Sequence, residues 1–348
     1  KNLFLNKNYE IALIQFEAFK GKYSNSLLFS EAEFYSYMCQ IYTHKINDLN
    51  KLENFISKNL DSNNRLLSAA YGEYLFDKEL FNKSVKYLVL SKSNSYDVLY
   101  KIGYSYYILE DEIKAENYLK KTRSSNYKDH SNYYLGIISM KRNKYSLAVN
   151  YFNSVKIFQY EDAIKYYLLS LYYNLNELDN IIELSKVIDE NTLNINHTYY
   201  IIGSTYFILK EYNKTLEYYK KYKRTDENIN KINFEIGYSY YKIEEIDSAL
   251  NILKDNALSD NYYGQLSSYY LGEIYLNKQN YNFASNSFYS AYLNNFDKDY
   301  SIDALFQYSK INFKIKNYEE SLSSLILIKN DFPDYKTDEI NYLISINY

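Results

Sequence analysis

Three histidines and one cysteine are the side chains best suited to hold a metal or carry a nucleophilic step: His44, His130, His197 and Cys39. Their setting supports neither. No His-Glu-x-x-His segment occurs, and no histidine has an acidic neighbour at metal-ligand spacing. A single thiol forms no internal disulfide and no cysteine-based zinc site. Phosphate cradles need clustered glycines, and the 8 glycines stand apart. No Gly-x-Ser-x-Gly nucleophile turn is present. The acidic pairs Glu110-Asp111, Glu244-Glu245 and Glu319-Glu320 are the remaining candidates for paired carboxylates, and solvated turns between helices are the plainer expectation for them. These residues predict no enzyme, no metal and no cofactor.

Composition bounds the partners. Lys+Arg 40 against Asp+Glu 43 leaves a net charge of −3, too small for a nucleic-acid field or a general attraction to anionic lipid. No run of apolar residues is long enough to span a membrane. One Pro and 8 Gly in 348 residues argue for helix joined to helix by short polar turns. Tyr 48 with Trp 0 suits half-buried helix faces, since a phenol has an apolar body and a polar tip. An AT-rich genome also accounts for much Tyr, Asn, Lys and Ile.

The elements that must position any site emerge from glycine spacing. Gly72, Gly103, Gly136, Gly203, Gly237 and Gly272 are separated by 31, 33, 67, 34 and 35 residues, and Ser170 stands inside the double interval. Taking each as the eighth position of a repeat brings other residues into register. Three later come Tyr106, Tyr173, Tyr206, Tyr240 and Tyr275; twelve later come Ala115, Ala148, Ala249 and Ala284. Sixteen later come Leu88, Leu119, Phe152, Tyr219, Leu253 and Phe288. Spacings of three and four put one apolar stripe on each of two helices. The small residues let the helices approach closely, and no pair can bury its stripe without neighbours.

With this period and register the chain resembles the tetratricopeptide-repeat family. The fullest copy runs Tyr269-Tyr270-Leu271-Gly272-Glu273-Ile274-Tyr275, then Tyr281, Ala284, Phe288 and Ala291; another centres on Ser309 with Tyr318, Ser321, Leu325 and Pro333. The resemblance implies an all-α superhelical solenoid of about nine helix-turn-helix repeats. They start near 29, 65, 96, 129, 163, 196, 230, 265 and 302, as one continuous array over 1–348. The register slips by about one residue near Asn180 to Lys186, and residues 29 to 62 lack the glycine. A lone second helix is expected at 6–20 and a further helix from Asp338, so both ends cut through the array. The start at Lys1 fits a processed or excised segment. The apolar Ile340, Leu343, Ile344 and Ile346 suggest that more repeats or a partner follow. Polar turns are expected at Ser91–Ser95, Thr122–His130, Asp189–Asn196, Arg224–Asn230 and Asn294–Tyr300.

One feature rises above the framework. The fifth repeat position reads Ala69, Tyr100, Tyr133, Tyr167, Tyr200, Phe234, Tyr269 and Phe306; the twelfth adds Phe76, Tyr107, Phe207, Tyr241 and Phe313. Both positions share one face of the first helix. In the family that face lines the groove, so Tyr100, Tyr107, Tyr133, Tyr167, Tyr200, Phe207, Phe234, Tyr241, Tyr269 and Phe306 are the candidate partner-binding residues. Rigid rings would supply contact area and hydroxyls adaptable hydrogen bonds. The other reading is ordinary packing between adjacent first helices. Co-chaperone members hold a peptide carboxylate with a lysine at the fifth position; aromatic residues there make such a clamp unlike this chain.

The resemblance implies a non-catalytic scaffold for protein or peptide partners. Tyr9, Ala12, Phe16, Tyr23, Ser26, Ala32 and Tyr35 resemble bacterial outer-membrane assembly lipoproteins and periplasmic scaffolds, and Tyr318, Ser321, Leu325, Phe332, Pro333 and Lys336 echo them. Ser24 stands in place of that motif's proline, and no lipobox cysteine occurs. A periplasmic or outer-membrane-associated location follows as an expectation. A cytoplasmic peptide-binding regulator, or the repeat part of a larger enzyme, are the alternatives.

Overall fold

The computed structural model describes residues 1–58, 61–223 and 228–347. Among them every regular element is a helix. A short turn α1 (Asn2–Leu5) precedes α2 (Tyr9–Lys22). Nine pairs then follow: α3 (Phe29–Tyr42) with α4 (Leu49–Lys58), α5 (Ser62–Asp77) with α6 (Phe81–Leu90), α7 (Tyr96–Ile108) with α8 (Glu112–Lys121), α9 (Lys128–Lys141) with α10 (Tyr145–Asn153), and α11 (Glu161–Asn174) with α12 (Leu178–Ser185). The rest are α13 (Ile195–Ile208) with α14 (Tyr212–Lys221), α15 (Ile229–Lys242) with α16 (Ile246–Asn256), α17 (Tyr262–Asn277) with α18 (Tyr281–Asn294), and α19 (Lys298–Lys314) with α20 (Tyr318–Asp331); α21 (Thr337–Asn347) ends the series. The first four residues of the turn expected at Arg224–Asn230 lie outside the described residues. The chain divides into two compact units, Lys1–Ile164 and Lys165–Tyr348, with the division inside α11.

The small-residue register is what brings each pair together. A Cβ on Gly136 would stand 2.7 Å from Cε1 of Phe152, and one on Gly203 would stand 2.7 Å from Cε1 of Tyr219. Gly72, Gly103, Gly237 and Gly272 meet Leu88, Leu119, Leu253 and Phe288 in the same way. Ala115, Ala148, Ala249 and Ala284 are fully buried on the opposing helices. The repeat at 29 lacks the glycine but keeps the arrangement: Ser36 is fully buried at the eighth position and Leu52 sixteen residues on. Burying such a leucine contributes roughly 1.5–3 kcal/mol.

The turns inside the pairs work without glycine. His44, Glu79, Glu110, Asn143, Asn176, Lys210, Glu244, Gln279 and Lys316 all take left-handed φ values between 55° and 68°. At the α7–α8 turn, Glu110 N–H bonds the Tyr107 carbonyl at 3.1 Å and Asp111 N–H bonds that of Tyr106 at 3.0 Å, a nested pair of hydrogen bonds that closes the helix end. Each such residue costs about 1–2 kcal/mol relative to the right-handed region. Asp111 then caps α8, its carboxylate accepting from the Lys114 N–H at 3.1 Å. The pairs Glu110-Asp111 and Glu244-Glu245 are therefore turn residues, and Glu319-Glu320 open α20.

In the second unit, Ile340 is buried against Leu325, Ile328 and Phe306, with Leu343 and Ile344 packed beside it. No helix among the described residues is long and apolar enough to cross a membrane.

Candidate functional site

The first helices carry the aromatic column, and the structure makes it a set of contacts between successive repeats. Tyr200, Phe234 and Phe306 are buried; Tyr100, Tyr107, Tyr133, Tyr167, Phe207, Tyr241 and Tyr269 are half-buried. In the first unit Tyr100 stacks on Tyr127 at 4.5 Å, and Tyr133 stacks on Tyr160 at 4.0 Å. Burial holds the Tyr100 phenol well above its ordinary range. In the second unit Tyr269 donates to Asp303 Oδ2 at 2.6 Å, and Phe306 packs against Tyr335 with 5.9 Å between ring centres. Tyr167 meets Tyr166 at 5.7 Å.

Column members do not all touch one another. Phe207 and Phe234 do, at 6.3 Å. Elsewhere they meet through a tyrosine at the sixth position. Tyr134 lies 4.7 Å from Tyr107 and 5.2 Å from Tyr133. Tyr270 lies 6.1 Å from Tyr241, 5.9 Å from Phe234 and 5.5 Å from Tyr269. The doublets Tyr133-Tyr134 and Tyr269-Tyr270 were the signal in the sequence that this position belongs to the column. Around these two tyrosines the units build matching clusters. Phe76, Phe81 and Tyr104 pack edge-to-face near Tyr134 in the first, as Phe207, Tyr212 and Tyr238 do near Tyr270 in the second. Edge-to-face geometry follows the ring quadrupole, each such pair contributing roughly 0.5–1.5 kcal/mol beyond its buried area.

A charged network crosses the column in the second unit. Lys231 Nζ, on α15, donates to the hydroxyls of Tyr200 on α13 and Tyr173 on α11, both at 3.0 Å, so the face of three successive first helices is drawn together. Its ammonium lies 3.7 Å from Oε1 of Glu235, which is almost fully buried. Tyr219 donates to Glu235 Oε2, and Ser204 donates to Oε1 at 3.4 Å. Burial pushes the Glu235 carboxyl up, against the lowering pull of Lys231 and Tyr219. Burial also works against the Lys231 charge, but the Glu235 carboxylate and the two phenols outweigh it and hold the ammonium above its ordinary range. Burial pushes Tyr200 up to about 12, with Lys231 opposing.

The histidines do not gather. His130 Nδ1 shares a hydrogen bond with Tyr160 OH at 2.6 Å, His44 is a turn residue, and His197 packs against Tyr166 and Tyr200. Among the described residues no group of three or more His, Cys, Asp or Glu is placed to hold a metal ion.

No protein-family model matches the chain, and no curated protein matches it. Among solved structures, the C-terminal part of a TPR repeat-containing protein from Cytophaga hutchinsonii is 17% identical, with a TM-score of 0.47 over 68% of this chain and 98% of that one. The Naa15/Naa10 complex bound to HypK-THB is 11% identical, with a TM-score of 0.42 over 98% of this chain and 63% of that one. The APC/C hetero-tetramer Cut9-Hcn1 is 13% identical, with a TM-score of 0.28 over the whole of this chain and 88% of that one. With TM-scores below 0.5, these likenesses carry no weight. The chain's own period, its pairing of helices and the close seating of Gly136 on Phe152 and Gly203 on Tyr219 give it tetratricopeptide-type helix-pair architecture.

Proposed function

We propose that the chain is a non-catalytic scaffold that holds protein or peptide partners on its first-helix face, within a bacterial cell-envelope assembly. The observation that carries this reading is the column itself. Seven of its ten candidate residues stay half-buried, in successive repeats, while packing against neighbours fixes their positions. Pre-fixed tyrosines offer contact area at low entropic cost on binding. The repeat period continues in sequence through the division between the units, which supports reading 1–348 as one array. The envelope location is supported by the resemblance of the Tyr9–Tyr35 and Tyr318–Lys336 segments.

Site-directed photocrosslinking in the native host tests the surface. A photoreactive phenylalanine at Tyr107 or Tyr241 is expected to capture a protein partner, whereas one at the exposed Lys86 of a second helix is not. Equal capture from both faces, or none from the first, overturns the reading. Fractionation of the same cells tests the envelope location.

A further inference from the structure

One second helix presents an apolar face where its counterparts in two other repeats present lysines. At the nineteenth and twenty-fifth repeat positions α8 carries Lys114 and Lys120, and α14 carries Lys214 and Lys220, all exposed. In α18 the same positions hold Phe283, 56% exposed, and Tyr289, 41% exposed. Leu293 on that helix is 61% exposed, and Phe296 just beyond it is 51% exposed. No residue of α18 is charged, whereas α12, α14, α16 and α20, the other second helices of the second unit, all carry charge.

These rings are held in place. Phe283 stacks on Tyr275 at 5.2 Å, and Tyr289 lies 4.9 Å from Tyr308. Asn282, Asn286, Tyr289 and Leu293 are all exposed and stand four, three and four residues apart, the spacing of a seam between two packed helices. At roughly 100 Å² for each half-exposed large side chain, Phe283, Tyr289, Leu293 and Phe296 leave about 400 Å² of apolar surface. A patch of that size on a folded chain commonly marks an interaction site.

Charge decides what covers it. A two-fold interface sets one patch against itself, so any charge near the axis meets its like. An uncharged face escapes that penalty. The flanking charges choose the direction. Lys278 precedes α18, and a net acidic run, Asp297-Lys298-Asp299, follows it. The pairing of Lys278 with Asp247 at 3.6 Å is solvent-exposed and weak. Parallel helices would set Lys278 against its own copy; antiparallel helices set it towards the acidic run and oppose the two helix dipoles.

We infer that α18 is the seat of a second copy of this chain, the two helices packed antiparallel about a two-fold axis between Asn286 and Tyr289. Asn286 of each molecule then faces Tyr289 of the other, amide to phenol, and Asn282 faces Leu293. The two copies bury about 800 Å² of apolar surface between them, the scale of a weak, reversible dimer. This surface is separate from the first-helix column and stands or falls without it.

Sedimentation velocity of the full chain over a concentration series tests the association. The mass is expected to move from the 41.7 kDa monomer towards twice that value as concentration rises. Phe283→Lys and Tyr289→Lys install the residue that α8 and α14 carry at these positions, and circular dichroism verifies that the fold is kept. Each is expected to raise the dimer dissociation constant about tenfold or more, since a lysine then lies in an interface that sets like against like. Thiol crosslinking tests the direction, because the native Cys39 is fully buried and an introduced surface thiol is the reactive one. At about 1.5 Å per residue, antiparallel packing leaves position 286 about 5 Å along the helix from its copy and position 282 about 16 Å. A short bismaleimide is expected to link Asn286→Cys into dimers and to leave Asn282→Cys monomeric. A monomer at every concentration, association unmoved by both lysine substitutions, or equal linking from 282 and 286 overturns the proposal.

Discussion

Lys231 Nζ and Tyr173 OH lie 3.0 Å apart although 58 positions separate them in the chain. The bond skips an entire repeat, and the same ammonium is the counter-charge of the nearly buried Glu235. Removing one partner of a buried pair leaves the other uncompensated. Lys231→Met is expected to destabilise by about 3 kcal/mol, and Lys231→Met with Glu235→Leu to recover much of that loss. Urea unfolding of the two variants checks both expectations.

The small-residue register makes a contrast among glycines. Gly203→Ala and Gly136→Ala push a methyl group against a buried ring and are expected to cost about 1–3 kcal/mol each. Gly21, in α2, has nothing within 4 Å of an added Cβ. Gly21→Ala should instead stabilise by roughly 0.5–1 kcal/mol, through lower backbone entropy in the unfolded chain. Thermal melts distinguish the two signs.

The partners of Asp303 set the sign of its contribution to stability against pH. Burial works against its charge, but the hydroxyls of Tyr269 and Tyr335 and the Lys336 ammonium outweigh it and hold the carboxyl below its ordinary 3.8. A depressed folded value means stabilisation that is full above 3.8 and lost as pH falls through the lower folded value. Asp303→Asn should therefore cost about 1 kcal/mol near neutrality, allowing for solvent screening. The difference from the unaltered chain should shrink in acid, as chemical denaturation at a series of pH values would show.

Cys39 has no exposed surface, and burial pushes its thiol up to about 11. A thiol reagent at mildly alkaline pH should label it only at the rate of opening, and at once in denaturant. Rapid labelling of the native chain would contradict the packing of α3.

The glycine spacing made the helix pairing legible, because one contact, small residue against bulky residue sixteen positions later, recurs in the same register at Gly72, Gly103, Gly136, Gly203, Gly237 and Gly272. What the period could not reveal was aperiodic. Tyr127, Tyr160 and Tyr335 lie in the short segments before first helices, where spacing varies; the first two complete the stacks on Tyr100 and Tyr133, and the third meets Phe306 edge-to-face. The left-handed turns were hidden for another reason: Glu79, Lys210 and Lys316 are not residue types that announce that conformation. The column was visible as a face, but its partial burial depends on the sixth-position tyrosines that join it.

The phenols also give the molecule an intrinsic optical gauge. With Trp 0 and Tyr 48, its near-ultraviolet absorption is almost wholly tyrosine. Burial lifts many of these groups, Tyr37 and Tyr87 to about 12 among them, while phenols in unfolded chains ionise near their ordinary 10.0. Raising the alkalinity would therefore deprotonate surface rings first and then produce a late cooperative burst of tyrosinate colour as the helices come apart. That burst reports loss of the helix packing without any label.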